Sequence, residues 1–227
     1  MEQEIITCGG IKQISEITEL VFILDRSGSM HGMEADTIGG FNAMIQKQKE
    51  LEGKVYVSTV LFSDQSTVLH DRVDLKEVEE LAEKDYYVGG CTALLDAIGS
   101  AIKHISNVHK YARPEDVPTH TMFVITTDGM ENASVRYNSK MVKEMITQKE
   151  KQGWEFLFLA SNIDAVETAR TMGINKDRAV NYCVKEDTVN MFSQVNDTLV
   201  SFRKCGSVGE GWAVSMENSL KDKRKKK

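Results

Sequence analysis

Three oxygen-bearing side chains stand at alternate positions in Asp25-Arg26-Ser27-Gly28-Ser29. A loop bulging off a strand end can turn Asp25, Ser27 and Ser29 to one side, and Gly28 lets the backbone bend tightly between the serines. One carboxylate and two hydroxyls brought together form a hard-oxygen nest suited to Mg²⁺ or Mn²⁺. The same residue types also cap helices, which is the plain structural alternative. Two other places carry related chemistry: Thr92 follows a Gly89-Gly90 turn, and Asp128 follows the apolar run Thr121–Thr126 in Thr127-Asp128-Gly129.

These groups need elements to position them. Leu20–Leu24 is a continuous apolar run, the pattern of a strand buried on both faces, and it stops at Asp25. Met33–Leu51 carries Ile38, Phe41, Met44, Ile45 and Gln48 at helical spacing, with Gly39-Gly40 inside it for close approach to the sheet beneath. Lys54–Phe62 is β-branched and aromatic, and a turn leads into a polar strand, Thr67–Val73, forming a hairpin at a sheet edge. Leu75, Val78 and Leu81 suggest a short helix. The spacing predicts helices over Ala93–Val108, Val135–Gln152, Ala165–Met172 and Thr188–Phe202, and strands over Thr121–Thr126, Trp154–Ala160 and Ala179–Val184. In the third of the longer helices the apolar stripe is Met141, Val142, Met145 and Ile146. In the last it is Val189, Phe192, Val195 and Leu199.

Strands alternating with helices predict an α/β fold: a doubly wound, mostly parallel sheet with one antiparallel edge strand and helices on both faces. Ligands of such sheets bind at the carboxyl ends of the strands, where strand order reverses. Asp25 and Asp128 both stand at strand carboxyl ends, so neighbouring strands would bring the two carboxylates over one crevice within reach of Thr92.

At 227 residues with 41% hydrophobic and 27% charged content, the chain matches one globular domain with a real core. No apolar run approaches a membrane span, and the acidic start Met1-Glu2-Gln3-Glu4 has no signal core. Cys8, Cys91, Cys183 and Cys205 are scattered, which reads as reduced thiols in a cytoplasm and not as a zinc site or disulfide framework. The net charge of −6 combines +5 from Lys221–Lys227 with −11 from the rest. So acidic a body repels phosphate backbones, which argues against nucleic acid as a partner, and the lysine run reads as a solvated tail.

Asp25-x-Ser27-x-Ser29, the threonine at 92 and Thr127-Asp128-Gly129, in this order and context, resemble the von Willebrand factor type A domain with its metal-ion-dependent adhesion site. Similarity covers about residues 17–204, leaving 1–16 as a lead-in and 205–227 as an extension. The resemblance is to the stand-alone intracellular bacterial type, whose members are often encoded with kinases, phosphatases, ATPases or tellurite-resistance proteins. It implies that Ser27, Ser29 and Thr92 touch a Mg²⁺ or Mn²⁺ ion directly, or nearly so. Asp25 and Asp128 would act largely through water or hydrogen bonds. It further implies that another protein supplies an Asp or Glu to the metal. Neutral hydroxyl ligands fit that role independently, since they leave the metal Lewis-acidic with an open position.

Nearby residues have plainer readings. Glu131 and Asn132 either shape the rim or cap a helix. Asp96 is a supporting acceptor or, more commonly in such patterns, an exposed helical charge. His31 is a rim residue at best, and the five histidines share no ligand spacing. The rival class is a metal-dependent hydrolase or phosphatase using the same strand end. Against it, aspartyl-phosphate enzymes need a second carboxylate where this chain has Ser27, and no nucleophile elbow or phosphate loop is present. An interaction module without catalysis is the expectation.

Overall fold

The computed structural model describes residues 16–182, 184–214, 216 and 218. Gly9-Gly10, Cys8, Cys183 and the basic tail lie outside them. Six strands form one sheet: β1 (Ile17–Asp25), β2 (Lys54–Phe62), β3 (Ser66–Asp74), β4 (His120–Thr127), β5 (Trp154–Ala160) and β6 (Ala179–Asn181). Their order is β3-β2-β1-β4-β5-β6. All pairings are parallel except β2 with β3. The helices are α1 (Glu34–Lys49), α2 (Leu94–Tyr111), α3 (Ser139–Glu150), α4 (Ala165–Thr171) and α5 (Val184–Cys205). This is the doubly wound α/β sheet expected, with its one antiparallel strand at an edge.

The strand pattern explains the layers. β1 is buried at every position, and its side chains alternate between two cores. Leu20, Phe22 and Leu24 pack with Phe41, Met44 and Ile45 of α1 and Val195 and Leu199 of α5. Val21 and Ile23 pack with Ile98, Ile102 and Ile105 of α2 and Val142 and Ile146 of α3. Phe22 meets Phe41 edge-on, with ring centroids 5.4 Å apart. From β1 the chain winds outward through β2 and β3, then crosses by α2 to β4 on the other flank. The strand order therefore reverses between β1 and β4, where a crevice opens at the carboxyl ends.

Several expectations need correction. α3 begins at Ser139, not Val135, because the side chain of Asp96 on α2 takes the N–H groups of residues 135–137 into a loop. Leu75, Val78 and Leu81 are buried, but only Leu75–Glu77 makes a 3-10 turn. Asn42 of α1 bonds both the N–H and the carbonyl of Leu81, holding that stretch irregular. The last strand stops at Asn181 and α5 runs over 184–205, longer than expected. Val189 faces outward, 60% exposed, and Met141 is also exposed. Trp212 of the extension docks on the body, its Nε1 donating to the Asp177 carbonyl at 2.7 Å.

Gly40 approaches α5 and not the sheet: a Cβ there would lie 2.4 Å from the Phe192 ring, whereas one at Gly39 would meet nothing within 4 Å. Gly40→Ala is therefore expected to cost about 1–3 kcal/mol through overpacking. Gly39→Ala should gain about 0.5–1 kcal/mol, the ordinary helix-interior advantage of alanine. Paired urea melts showing the same sign for both would refute this packing account.

At the amino-terminal end of the sheet a buried ionic cluster closes the fold. The Glu19 carboxylate, 0% exposed, accepts from Arg72 Nε at 2.8 Å and lies 2.6 Å from His109 Nε2. Arg72 sits at a bulge in β3 with φ 51°. None of this was visible in the spacing of the histidines.

Candidate metal centre

The register of β1 against β4 pairs Leu24 with Thr126, so Asp25 stands level with Thr127 and Asp128 comes one residue later. One oxygen of Asp25 accepts the Ser27 N–H at 2.7 Å, and the other accepts the Thr127 hydroxyl at 2.6 Å. Asp25 thus ties the turn after β1 to the end of β4. The Ser27 and Ser29 hydroxyls lie 3.0 Å apart. Thr92 joins them over Gly129. A Cβ at that glycine would be 3.0 Å from both Ser29 Oγ and Thr92 Oγ1 and 3.8 Å from Ser27 Oγ. Glycine at 129 therefore keeps open the space into which the three hydroxyls converge.

The loop that delivers Thr92 is pinned on two sides. Gly89 N–H donates to the Arg26 carbonyl and Gly28 N–H to the Gly90 carbonyl. On the other side Thr92 N–H donates to Asn132 Oδ1 at 2.9 Å, and Asn132 N–H returns a bond to the Thr92 carbonyl. Glu131 accepts from the N–H groups of Leu95, Ala133 and Ser134 and from the Ser134 hydroxyl. It caps the start of α2, so its structural reading prevails over a rim role. Asp96 is not an exposed helical charge but a buried acceptor of three backbone N–H groups. Burial alone would push the Asp96 carboxyl up, and those bonds with Arg136 nearby more than offset it, holding it below its ordinary value. His31 is exposed at the margin beside Glu34.

Asp128 differs from these satisfied groups. It is 3% exposed, and its Oδ1 is buried with no hydrogen-bond partner in the protein. Burial pushes its carboxyl above the ordinary range, with Ser29 and Asn162 drawing it part of the way back. Burial likewise pushes Asp25 up against its bonds to Thr127 and Ser27, and the Asp128 charge adds to the rise. An unpartnered Asp128 oxygen beside three converging hydroxyls, with the buried Asp25 carboxylate bonded to the turn that carries two of them, is an arrangement that a small divalent cation would relieve. All five residues singled out in the sequence are thus brought to one place. Among the described residues no three His, Cys, Asp or Glu side chains gather as a metal cluster, at this site or elsewhere, so the donor set here rests on hydroxyls.

The chain belongs to the von Willebrand factor type A domain family, whose model matches residues 19–197. That family consists of protein-interaction modules that often carry a metal-ion-dependent adhesion site. Among solved structures, the chain is similar to the domain of this type from the type V pili tip protein Mfa5 of Porphyromonas gingivalis. The TM-score is 0.60 at 10% identity, over 86% of this chain and 99% of that one. A D319A mutant of the PilB minor pilin from Streptococcus sanguinis matches with a TM-score of 0.57 at 11% identity, over 88% and 65%. Proximal thread matrix protein 1 from the mussel byssus, with a zinc-occupied site of this kind, matches at 0.52 and 12%, over 81% and 46%. This chain thus spans about half the length of the mussel protein. No curated protein matches it by sequence. At these identities the likenesses establish the fold alone.

Proposed function

We propose that the protein is a metal-dependent interaction module. Ser27, Ser29, Thr92, Asp25 and Asp128 hold Mg²⁺ or Mn²⁺, and a partner protein contributes an Asp or Glu. The observation that carries this reading is the buried, unpartnered Oδ1 of Asp128 beside three hydroxyls converging over Gly129. When bound, the metal supplies a Lewis-acidic centre that accepts an anionic oxygen. The chain's own residues supply the rest: neutral ligands that leave the charge unsaturated, and a partly dry crevice that strengthens a charge-assisted contact.

Hydrolysis is disfavoured by the same geometry. Asp25 has both oxygens engaged and is fully buried, so it offers no free carboxylate for attack. The Ser27 hydroxyl lies 3.0 Å from that of Ser29, and among the described residues no histidine bonds it. We also place the protein in the cytoplasm, a reading supported by the free thiols of Cys91 and Cys205.

The test is capture of partners from native lysate in Mg²⁺ and in EDTA, with Asp25→Ala as control. A partner is expected in Mg²⁺ only, and the amide substitution of one partner carboxylate should mimic EDTA. Equal capture in EDTA, or phosphate-ester hydrolysis abolished by Ser27→Ala, would overturn the proposal.

A further inference from the structure

Thr92 lies at the end of a segment, Val78–Ala93, that has no helix or strand of its own. A stretch of this length needs something to fix it. Asn42 and Lys49 of α1 hold its start at Leu81 and Val78, Asn132 holds Thr92 at its end, and two further side chains tie its middle to the turn after β1. Tyr86 sits within the segment and is 1% exposed, a full aromatic ring packed into the core shared with α1 and α5. Its hydroxyl donates a hydrogen bond to the backbone carbonyl of Asp25, the residue at which β1 ends. From the opposite direction Arg26 is buried, donates to the Asp85 carbonyl at 3.4 Å and to Thr67 Oγ1 at 3.0 Å, and lies 4.2 Å from the centre of the Tyr87 ring. The remaining ties between the two loops, Gly89 to Arg26 and Gly28 to Gly90, are backbone bonds.

We infer that Tyr86 is a positioning residue of the metal centre: its phenol, anchored on the Asp25 carbonyl, sets where the Thr92 hydroxyl stands relative to Ser27 and Ser29. This rests on the metal reading above. The core ring fixes the middle of the segment, and the hydroxyl locks that point to the strand end from which the Asp25–Ser29 turn springs. Without the hydroxyl, the segment keeps its tie to the end of β1 through Arg26, on Asp85 and Tyr87, and through the backbone bonds at Gly28 and Gly89, with Asn132 holding Thr92 from the other side. Metal sites lose affinity when the groups that orient their ligands are removed, by about tenfold to a hundredfold. Tyr86 touches no ligand oxygen of the gap, so it acts through the loop and not as a ligand.

The experiment is a Mn²⁺ titration, read by the spin-resonance signal of the free ion, on four full-length proteins. They are wild type, Tyr86→Phe, Thr92→Ala and the double variant. Val142→Ala, in the α3 core on the other sheet face, serves as a control for general loss of stability. Tyr86→Phe should weaken Mn²⁺ binding by about tenfold or more, Val142→Ala should leave it unchanged, and Tyr86→Phe should add nothing in the Thr92→Ala background. Wild-type affinity in Tyr86→Phe, an equal loss in Val142→Ala, or an undiminished effect in the double variant would each overturn the inference. Amide exchange of Gly28, Gly89 and Asn132 in metal-free protein gives an independent reading, since their N–H groups make the cross-loop bonds. Faster exchange in Tyr86→Phe than in Val142→Ala is expected, and equal rates would overturn the role. If wild type takes up no Mn²⁺ the metal reading falls, and the exchange data still decide whether Tyr86 fixes the loop.

Discussion

Replacing Asp128 with alanine is expected to abolish divalent-cation binding while leaving the metal-free protein at least as stable as wild type. Asp128 is a buried carboxylate with an oxygen that nothing in the protein satisfies. Removing such a group relieves a desolvation cost and leaves only a small gap at an open crevice. Mg²⁺ at a hundred times its dissociation constant should stabilise wild type by about 2.7 kcal/mol. For a chain of this size that is a rise of roughly 5–10 °C in melting temperature, and the variant should show none of it. The pH dependence follows with a definite sign. Burial raises the folded-state values of both Asp128 and Asp25 above their ordinary 3.8, so metal-free folded protein holds these protons more tightly than the unfolded chain. Their cost is fully present at neutral pH, and stability recovers as pH falls through the raised values towards 3.8. With metal bound the slope should reverse, because protons compete with the cation. Calorimetry across pH 4–7, with Mg²⁺ and with EDTA, checks all three statements. An unchanged Mg²⁺ response in Asp128→Ala sinks the site.

Glu19→Ala should destabilise the protein by about 3–5 kcal/mol, because it strands the nearly buried Arg72 and His109 without their shared carboxylate. The melting temperature should fall by roughly 10 °C or more. Metal affinity should not change. Glu19 lies six positions before Asp25 on β1, and at about 3.3 Å per residue that separates it from the crevice by some 20 Å. Denaturant melts of the variant, set beside its Mg²⁺ titration, measure both quantities. A loss under 1 kcal/mol would mean that water reaches the cluster and screens it. A parallel loss of Mg²⁺ affinity would mean that the two ends of β1 are coupled through the strand.

The residue pattern alone carries the main strands and helices and the oxygen-bearing groups at their ends. A strand buried on both faces must be apolar at every position, so Leu20–Leu24 and Thr121–Thr126 were legible as strands and their terminal aspartates as strand-end groups. Alternation of strands and helices then limits the topology to a few right-handed windings, and all of these place strand ends and ligand groups on one rim. Periodicity failed where a distant side chain overrode local preference. Asp96 unwinds residues 135–137 by taking their N–H groups, and Asn42 keeps Leu81 out of a helix. Which carboxylate is satisfied depends on how the strands meet. Asp25 and Asp128 look alike in sequence, each following an apolar run. Yet the β1–β4 register gives Asp25 the Thr127 hydroxyl and leaves Asp128 Oδ1 without a partner. The role of Tyr86, 61 positions from the carbonyl it holds, was hidden for the same reason: hydrogen bonding between distant segments depends on packing and leaves no local pattern.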